Sequence, residues 1–288
     1  MLFILINSLT MAMAVFLVAA GLTLIYGIMR ILNFAHGAFF MIGAYLTSTM
    51  VGQAAGSVLM LVAAALAAAV LVGILGLAVQ RLVLRRVMNA DEHYMLIATF
   101  AVMLICVGSV KLIWGLDFFS VDPPPALSGG VLLGTVFVPS FSLFVIASGV
   151  LVFILLDLLL QRSWSGKMLT AVARDGWMAE LMGLNTSAWI MLAIGGSFAL
   201  AGLAGGLLLP NQTLTPVLGD SFLLLAFVTI VMGGLGSVRG AFIAALVLGL
   251  IDGLNMIVMP QFPGVAIYVG MIAFLLLNPN GFLGEGRL

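Results

Sequence analysis

Charge is what this chain lacks most. Only 7% of its 288 residues are Asp, Glu, Lys or Arg, while 64% are hydrophobic. A soluble domain carries about 25% charged residues, so there is too little charge here to cover a water-facing surface. A mean hydropathy of +1.33 agrees, and together these values exclude a soluble globular protein. The charge that is present sums to zero, which leaves no electrostatic footprint for a nucleic-acid partner. Cysteine is equally scarce: Cys106 stands alone inside an apolar run, so no internal disulfide can form.

Missing motifs narrow the function further. No GxxxxGK[ST] run occurs, so an ATP site of the chain's own is not expected. "GGLGSVRG" (Gly233–Gly240) has the wrong spacing for GxGxxG and follows no strand pattern. No His, Cys or acid cluster shows metal-ligand spacing, and no nucleophile is paired with a base. Neither covalent catalysis nor a cofactor bound by this chain is expected.

Apolar runs, by contrast, dominate. The first, "MLFILINSLTMAMAVFLVAAGLTLIYGIM", goes 29 residues without a charge. It has no basic start and exceeds the apolar core of roughly 7–15 residues of a secretory signal, so a retained membrane helix is expected. A span needs about 20 apolar residues. Candidate runs fall at 3–28, 37–51, 58–80, 94–114, 136–160, 188–209, 221–236, 240–258 and 264–278, of which 37–51, 221–236 and 264–278 are short. Backbone left unpaired in hydrocarbon is costly, so all are read as helices. The fold class expected is an all-α membrane protein, a polytopic helical bundle forming a single integral-membrane domain over 1–288, with about eight or nine transmembrane segments and two interrupted helices.

Basic residues orient the bundle. Arg81, Arg85 and Arg86 lie in the loop 80–93, and Arg162, Lys167 and Arg174 in the loop 161–187. Two spans separate these loops, so both can be cytoplasmic. The stretch between, "GLDFFSVDPPPALSGG", has two aspartates and no basic residue. Counting spans then puts the N-terminus outside and the C-terminus, with Arg287, inside.

Rows of small residues recur at every fourth position: Ala65, Ala69 and Gly73; Ser197, Ala201 and Gly205; Ala245, Gly249 and Gly253. Such rows let helix backbones approach closely in lipid, although an Ala- and Gly-rich composition produces some by itself. Two stretches interrupt the helical pattern, "RILNFAHGAFF" (Arg30–Phe40) and "MGGLGSVRGAF" (Met232–Phe242). They match weakly at an offset of 203: Met29 with Met232, Leu32 with Leu235, and His36-Gly37-Ala38-Phe39 with Arg239-Gly240-Ala241-Phe242. Paired interrupted helices in corresponding halves point to a transporter's binding region. Asn33 and His36, three apart, share a helical face, and polar groups at membrane depth need partners or water. Two readings stand. One is a pathway wall or hinge. The other is an interfacial turn with Arg30 as anchor and His36 as a satisfied structural histidine.

The loop 161–187 holds a short amphipathic helix. Asp175 is its N-cap. Trp177, Met178, Leu181 and Met182 form one apolar face, Glu180 lies off it, and Gly183 ends it. Asn185-Thr186-Ser187 can cap the next span. Interfacial helices favour Lys and Arg on the polar face; this one offers Asp175 and Glu180, which favours a protein partner over lipid.

Four stretches, in order along the chain, carry a resemblance. "GLTLIYGIMRILNFAHGAFFMIGAYL", "AVARDGWMAELMGLN", "VMGGLGSVRGAFIAALVLG" and "LLLNPNGFLG" are similar to motifs of the permease subunits of ABC importers for branched-chain amino acids and related solutes, the group that includes urea permeases. The chain departs where the family usually has Gly-Ile-Asn, here Gly183-Leu184-Asn185, and where it has Arg-Pro, here Asn278-Pro279.

The resemblance implies an importer permease for a small polar solute, with branched-chain or other amino acids first. It implies a second homologous permease as partner, forming a heterodimer, and two ABC ATPase subunits that hold ATP and Mg. A periplasmic binding protein delivers solute. The family's pathway elements map onto Asn33, Phe34, His36 and Gly37 and onto Gly233, Gly234 and Gly236. Its coupling helix maps within Ala171–Asn185, on Arg174, Asp175, Trp177, Met178, Glu180, Leu181, Met182, Gly183 and Asn185. Without the resemblance, a gradient-driven transporter or channel acting alone remains the alternative.

Overall fold

The computed structural model describes residues 1–87, 91–133, 136–262 and 264–283; Arg287 and Gly284 lie outside them. The helices are α1 (Leu2–Met29), α2 (Ala35–Val51), α3 (Val58–Val79), α4 (Glu92–Trp114), α5 (Ser140–Asp157), α6 (Trp164–Arg174), α7 (Gly176–Leu181), α8 (Thr186–Leu208), α9 (Leu218–Gly233), α10 (Val238–Val258) and α11 (Val265–Leu277). One antiparallel hairpin, β1 (Gly130–Leu133) with β2 (Val136–Pro139), pairs Val131 with Val138. Two spans run on into π-helical turns: Gln80–Leu84 and then Arg85–Val87 extend α3, and Leu158–Arg162 extends α5.

Six of these helices are long and apolar enough to cross a membrane: α1, α3, α4, α5, α8 and α10 with their extensions. Helix α1 alone spans 28 residues, about 42 Å at 1.5 Å per residue. The short runs at 37–51, 221–236 and 264–278 become the short helices α2, α9 and α11, of 17, 16 and 13 residues. Leu104, Ile105 and Leu112 on α4, Leu59 and Val70 on α3, and Leu276 and Leu277 on α11 are exposed. A continuous apolar exterior of this kind is a lipid-facing surface, not a water-facing one. The chain is a multi-pass membrane protein.

Helix α1 lies at the centre, packed by α5, α8, α9 and α10, and α2 wedges between α8, α3 and α9. The small-residue rows are the crossing points. Gly73 faces Ala199 and the Gly195 carbonyl, Gly205 faces the Phe40 carbonyl, and Gly249 and Gly253 face Ser8. Ser197 donates to the Gly21 carbonyl at 2.7 Å. With lipid on the outside, close packing and such bonds, not water exclusion, hold the helices together.

The structure departs from the sequence reading in two places. Residues 136–139 are strand, and α5 starts only at Ser140. Pro139 favours extended backbone at the residue before it, which delays the helix. The stretch 161–187 holds two helices where one was expected: α6 precedes α7, capped by the Ser163 hydroxyl, which accepts from the Gly166 amide at 3.0 Å.

The two ends of the bundle differ in charge. At one end, loops around 52–57, 115–139 and 209–217 interlock: Ala54 bridges Asp122, and Phe119 bridges Leu214. The other end carries Arg30, Arg81, Arg85, Arg86, Arg162, Lys167, Arg174 and Arg239, eight of the chain's ten Lys and Arg. Lys111 lies near the hairpin end, and Arg287 is not described. The α1–α2 and α9–α10 connections both lie at the basic end.

Candidate functional site

Both interruptions are helix-to-helix corners. In the first, Arg30 adopts φ 55°, and among the described residues no other non-glycine has a positive φ. Its amide closes α1 on the Tyr26 carbonyl at 2.8 Å. The chain then turns, and Asn33 lies just before the start of α2. The Asn33 side-chain oxygen accepts from the Ala35 amide at 3.0 Å and its carbonyl accepts from the His36 amide at 3.3 Å, an Asx turn that leads the chain into the helix. Phe34 sets its ring edge-on to Phe227 at 5.5 Å and Phe100 at 6.4 Å, which ties the corner to α9 and α4.

His36 is fully buried on α2. Its Nε2 lies 3.0 Å from the Val18 carbonyl on α1. A carbonyl oxygen only accepts, so Nε2 carries the proton and Nδ1 presents its lone pair. That Nδ1 and the Asn33 Nδ2 are buried polar atoms without a partner among the described residues. The ring lies on Gly21, where an added Cβ would come within 2.8 Å of the His36 Cε1. One residue on, Gly37 meets Gly219 of α9 so closely that a Cβ on either would strike the other's backbone carbonyl. Asn33, Phe34, His36 and Gly37 are therefore brought together at one junction of α1, α2, α4 and α9.

The second corner uses glycine for its backbone. Gly234 and Gly236 take φ 95° and 89°, angles that side chains resist. Ser237 caps α10 by accepting from the Gly240 amide at 3.0 Å. A Cβ on Gly233 would lie 2.5 Å from the Ala241 amide, so the two helices turn on each other with no room to spare. The corners touch: a Cβ on Gly236 would lie 3.0 Å from the Gly27 Cα of α1. Arg239, which the offset of 203 pairs with His36, forks onto Asp157 of α5 with bonds of 2.5 and 3.0 Å.

A strap braces this corner. The Phe282 and Leu283 amides donate to the Met232 and Gly233 carbonyls at 2.8 and 3.0 Å. These satisfy carbonyls that a helix end otherwise leaves open. The Asn278 side-chain amide donates to the Gly281 carbonyl at 2.8 Å, and the Phe282 ring stacks on Phe274 of α11 at 4.4 Å. Gly281, at φ 77°, sits on Gly234, where a Cβ would come 2.6 Å from its amide. Two motifs some fifty residues apart in the sequence thus form one unit.

Near the basic end, α7 has the caps that the residues suggest. The Asp175 carboxylate accepts from the Met178 amide at 2.9 Å. Gly183, at φ 85°, ends the helix with its amide on the Glu180 carbonyl at 2.9 Å. Asn185 caps α8 through the Ala188 amide at 3.0 Å. Trp177 is 69% exposed and Met182 78%, with Met178 and Leu181 exposed beside them, while Ala179 is buried against the bundle. The Thr186 hydroxyl donates to the Glu180 carboxylate, so Glu180 joins α7 to the first turn of α8. Arg174 closes α6 just before the cap. Among the described residues, no three His, Cys, Asp or Glu side chains gather to hold a metal ion.

Residues 4–277 match the family described as the branched-chain amino acid transport system, permease component. The chain belongs to that permease family. A relative in Pseudomonas aeruginosa, the high-affinity branched-chain amino acid transport system permease protein BraD, is 30% identical over 98% of this chain and 95% of its own length. LivH of Salmonella typhimurium, of the same description, is 28% identical over 97% and 94%. The probable branched-chain amino acid transport permease protein LivH of Methanocaldococcus jannaschii is 28% identical over 93% and 88%. No solved structure matches. The matched region takes in both corners of the permease and α7 and ends with α11 at residue 277, so the strap at 278–283 lies just beyond it.

Proposed function

We propose that this permease is the membrane-spanning subunit of an ATP-driven importer for branched-chain amino acids or a related small polar solute. The relatives' names support the solute class. The observation that carries the mechanism is the exposed apolar face of Trp177, Met178, Leu181 and Met182 on a helix capped at both ends. An apolar face held out from the basic end suits a protein partner, and two ABC ATPase subunits, which hold ATP and Mg, are that partner. The concentration of Lys and Arg at this end makes it the cytoplasmic one, with the N-terminus outside. A second, homologous permease completes the path, and a periplasmic binding protein delivers solute at the hairpin end. The whole of 1–288 works as one domain.

Movement of α7 has a physical route inward. Glu180 holds Thr186 at the start of α8. Ser197 of α8 holds the Gly21 carbonyl of α1, and the His36 ring lies on Gly21. Asn33, Phe34, His36 and Gly37, with Gly233, Gly234 and Gly236, are then the elements that move when access switches. Such a switch needs contacts that differ between its two states, and these corners supply them.

Met178→Asp tests this reading. It places a charge on an exposed side chain, so the bundle should keep its unfolding midpoint while co-purification of the ATPase subunits falls by about tenfold. Normal co-purification, or gradient-driven uptake by the lone wild-type chain, would overturn it.

A further inference from the structure

A cleft of about 230 Å³ opens at the basic end, apart from both corners and from the apolar face of α7. Gln80, Arg81 and Arg85 line one side, from the π-helical extension of α3, and Thr186, Ser187, Ile190 and Met191 line the other, from the first turns of α8. Arg81 and Arg85 therefore line one space, and no carboxylate is among its lining residues. Neither Arg81 nor Arg85 makes an ion pair among the described residues, whereas Arg239 at the same end does. Facing cations repel each other, and an anion between them relieves this. The start of α8 adds its own positive field. Because the Thr186 hydroxyl is given to Glu180, the Ser187 hydroxyl is the available neutral donor.

The geometry points to a binding site for a phosphate group, held by Arg81, Arg85 and Ser187. Guanidinium forks match phosphate oxygens in pairs. Lipid supplies such a group at this depth. The cleft lies where α3 leaves the membrane and α8 enters it, Ile190 and Met191 make an apolar wall, and Leu82 is exposed beside it. Basic pockets between spans take anionic headgroups, so the phosphate of an anionic phospholipid fits best. Free inorganic phosphate offers the same chemistry without the acyl chains.

The full-length chain, purified in detergent with the subunits that accompany it, is titrated with radiolabelled phosphatidylglycerol, against phosphatidylcholine and inorganic phosphate as competitors. The double variant Arg81→Gln/Arg85→Gln should weaken phosphatidylglycerol binding by about tenfold or more, at about 1 kcal/mol per arginine. Arg86→Gln removes the same kind of charge from outside the cleft and should change it less than about twofold. Displacement by inorganic phosphate at equal concentration supports the phosphate site and assigns it to the free anion; failure to displace supports the lipid. Equal affinity in the double variant and in Arg86→Gln would overturn the site. So would a double variant that sheds an accompanying protein subunit while its lipid binding stays unchanged.

Discussion

The two corners answer the same problem, reversing a helix at a membrane boundary, with different materials. The α1–α2 corner is closed from inside. Arg30 carries the positive φ, the Asn33 side chain turns onto the Ala35 amide, and buried His36 bonds across to Val18. The α9–α10 corner is braced from outside. Glycines carry its positive φ values, an exposed ion pair joins it to α5, and the strap at 278–283 covers its open carbonyls. The offset match extends to the fourth residue: Phe39 lies on Phe198 with centroids 4.1 Å apart, and Phe242 stacks on Phe153 at 4.0 Å. What differs is what surrounds each corner. Buried polar atoms need partners close by, and at a water-facing boundary backbone ties and an ion pair suffice.

This contrast can be broken at several points. The largest effect is expected in the buried packing beside the first corner. Gly37→Val drives a branched side chain into the Gly219 carbonyl, and a loss of about 3 kcal/mol is expected, read as a lower unfolding midpoint in detergent. Next comes the strap. Gly281→Val forces a β-branched residue to φ 77° against Gly234, for about 2 kcal/mol. Its distinctive sign is faster amide exchange at Phe282 and Leu283. Loss of the Asn33 side-chain bond to the Ala35 amide in Asn33→Ala should cost about 1 kcal/mol and loosen the turn before α2, with a larger fall in solute transport than in stability. Smallest is Arg239→Ala. That side chain is 53% exposed, and solvent screens such exposed pairs so that they add little, so an effect near that of Gly37→Val would refute the inside-versus-outside distinction.

Much of this architecture was legible in the residues. The apolar runs become helices, the three short runs become the three short helices, and Asp175, Gly183 and Asn185 cap as their chemistry dictates. These are local properties of side chain and backbone, and neighbours in sequence decide them. The small-residue rows named which faces would meet without naming their partners. Helix α6 has no apolar run to mark it: Ser165, Lys167, Thr170 and Arg174 interrupt its apolar residues, and only Gly166, Leu169 and Val172 are buried. The pairing of Arg239 with Asp157 spans 82 residues, and the docking of the strap on the glycine corner joins backbone groups, which carry no side-chain signature.

The sequence by itself determined that the chain is a bundle of membrane helices, because so little charge and such long apolar runs leave a chain no other way to satisfy its backbone. It also determined several helix ends, such as those at Asp175, Gly183 and Asn185, since caps and left-handed glycines act within a few residues. Only the tertiary structure decided that both corners lie side by side at one end, that His36 spends its proton on Val18, and that the C-terminal strap closes the second corner. Those outcomes depend on which backbones approach within bonding distance across the bundle, and that is a property of packing in three dimensions.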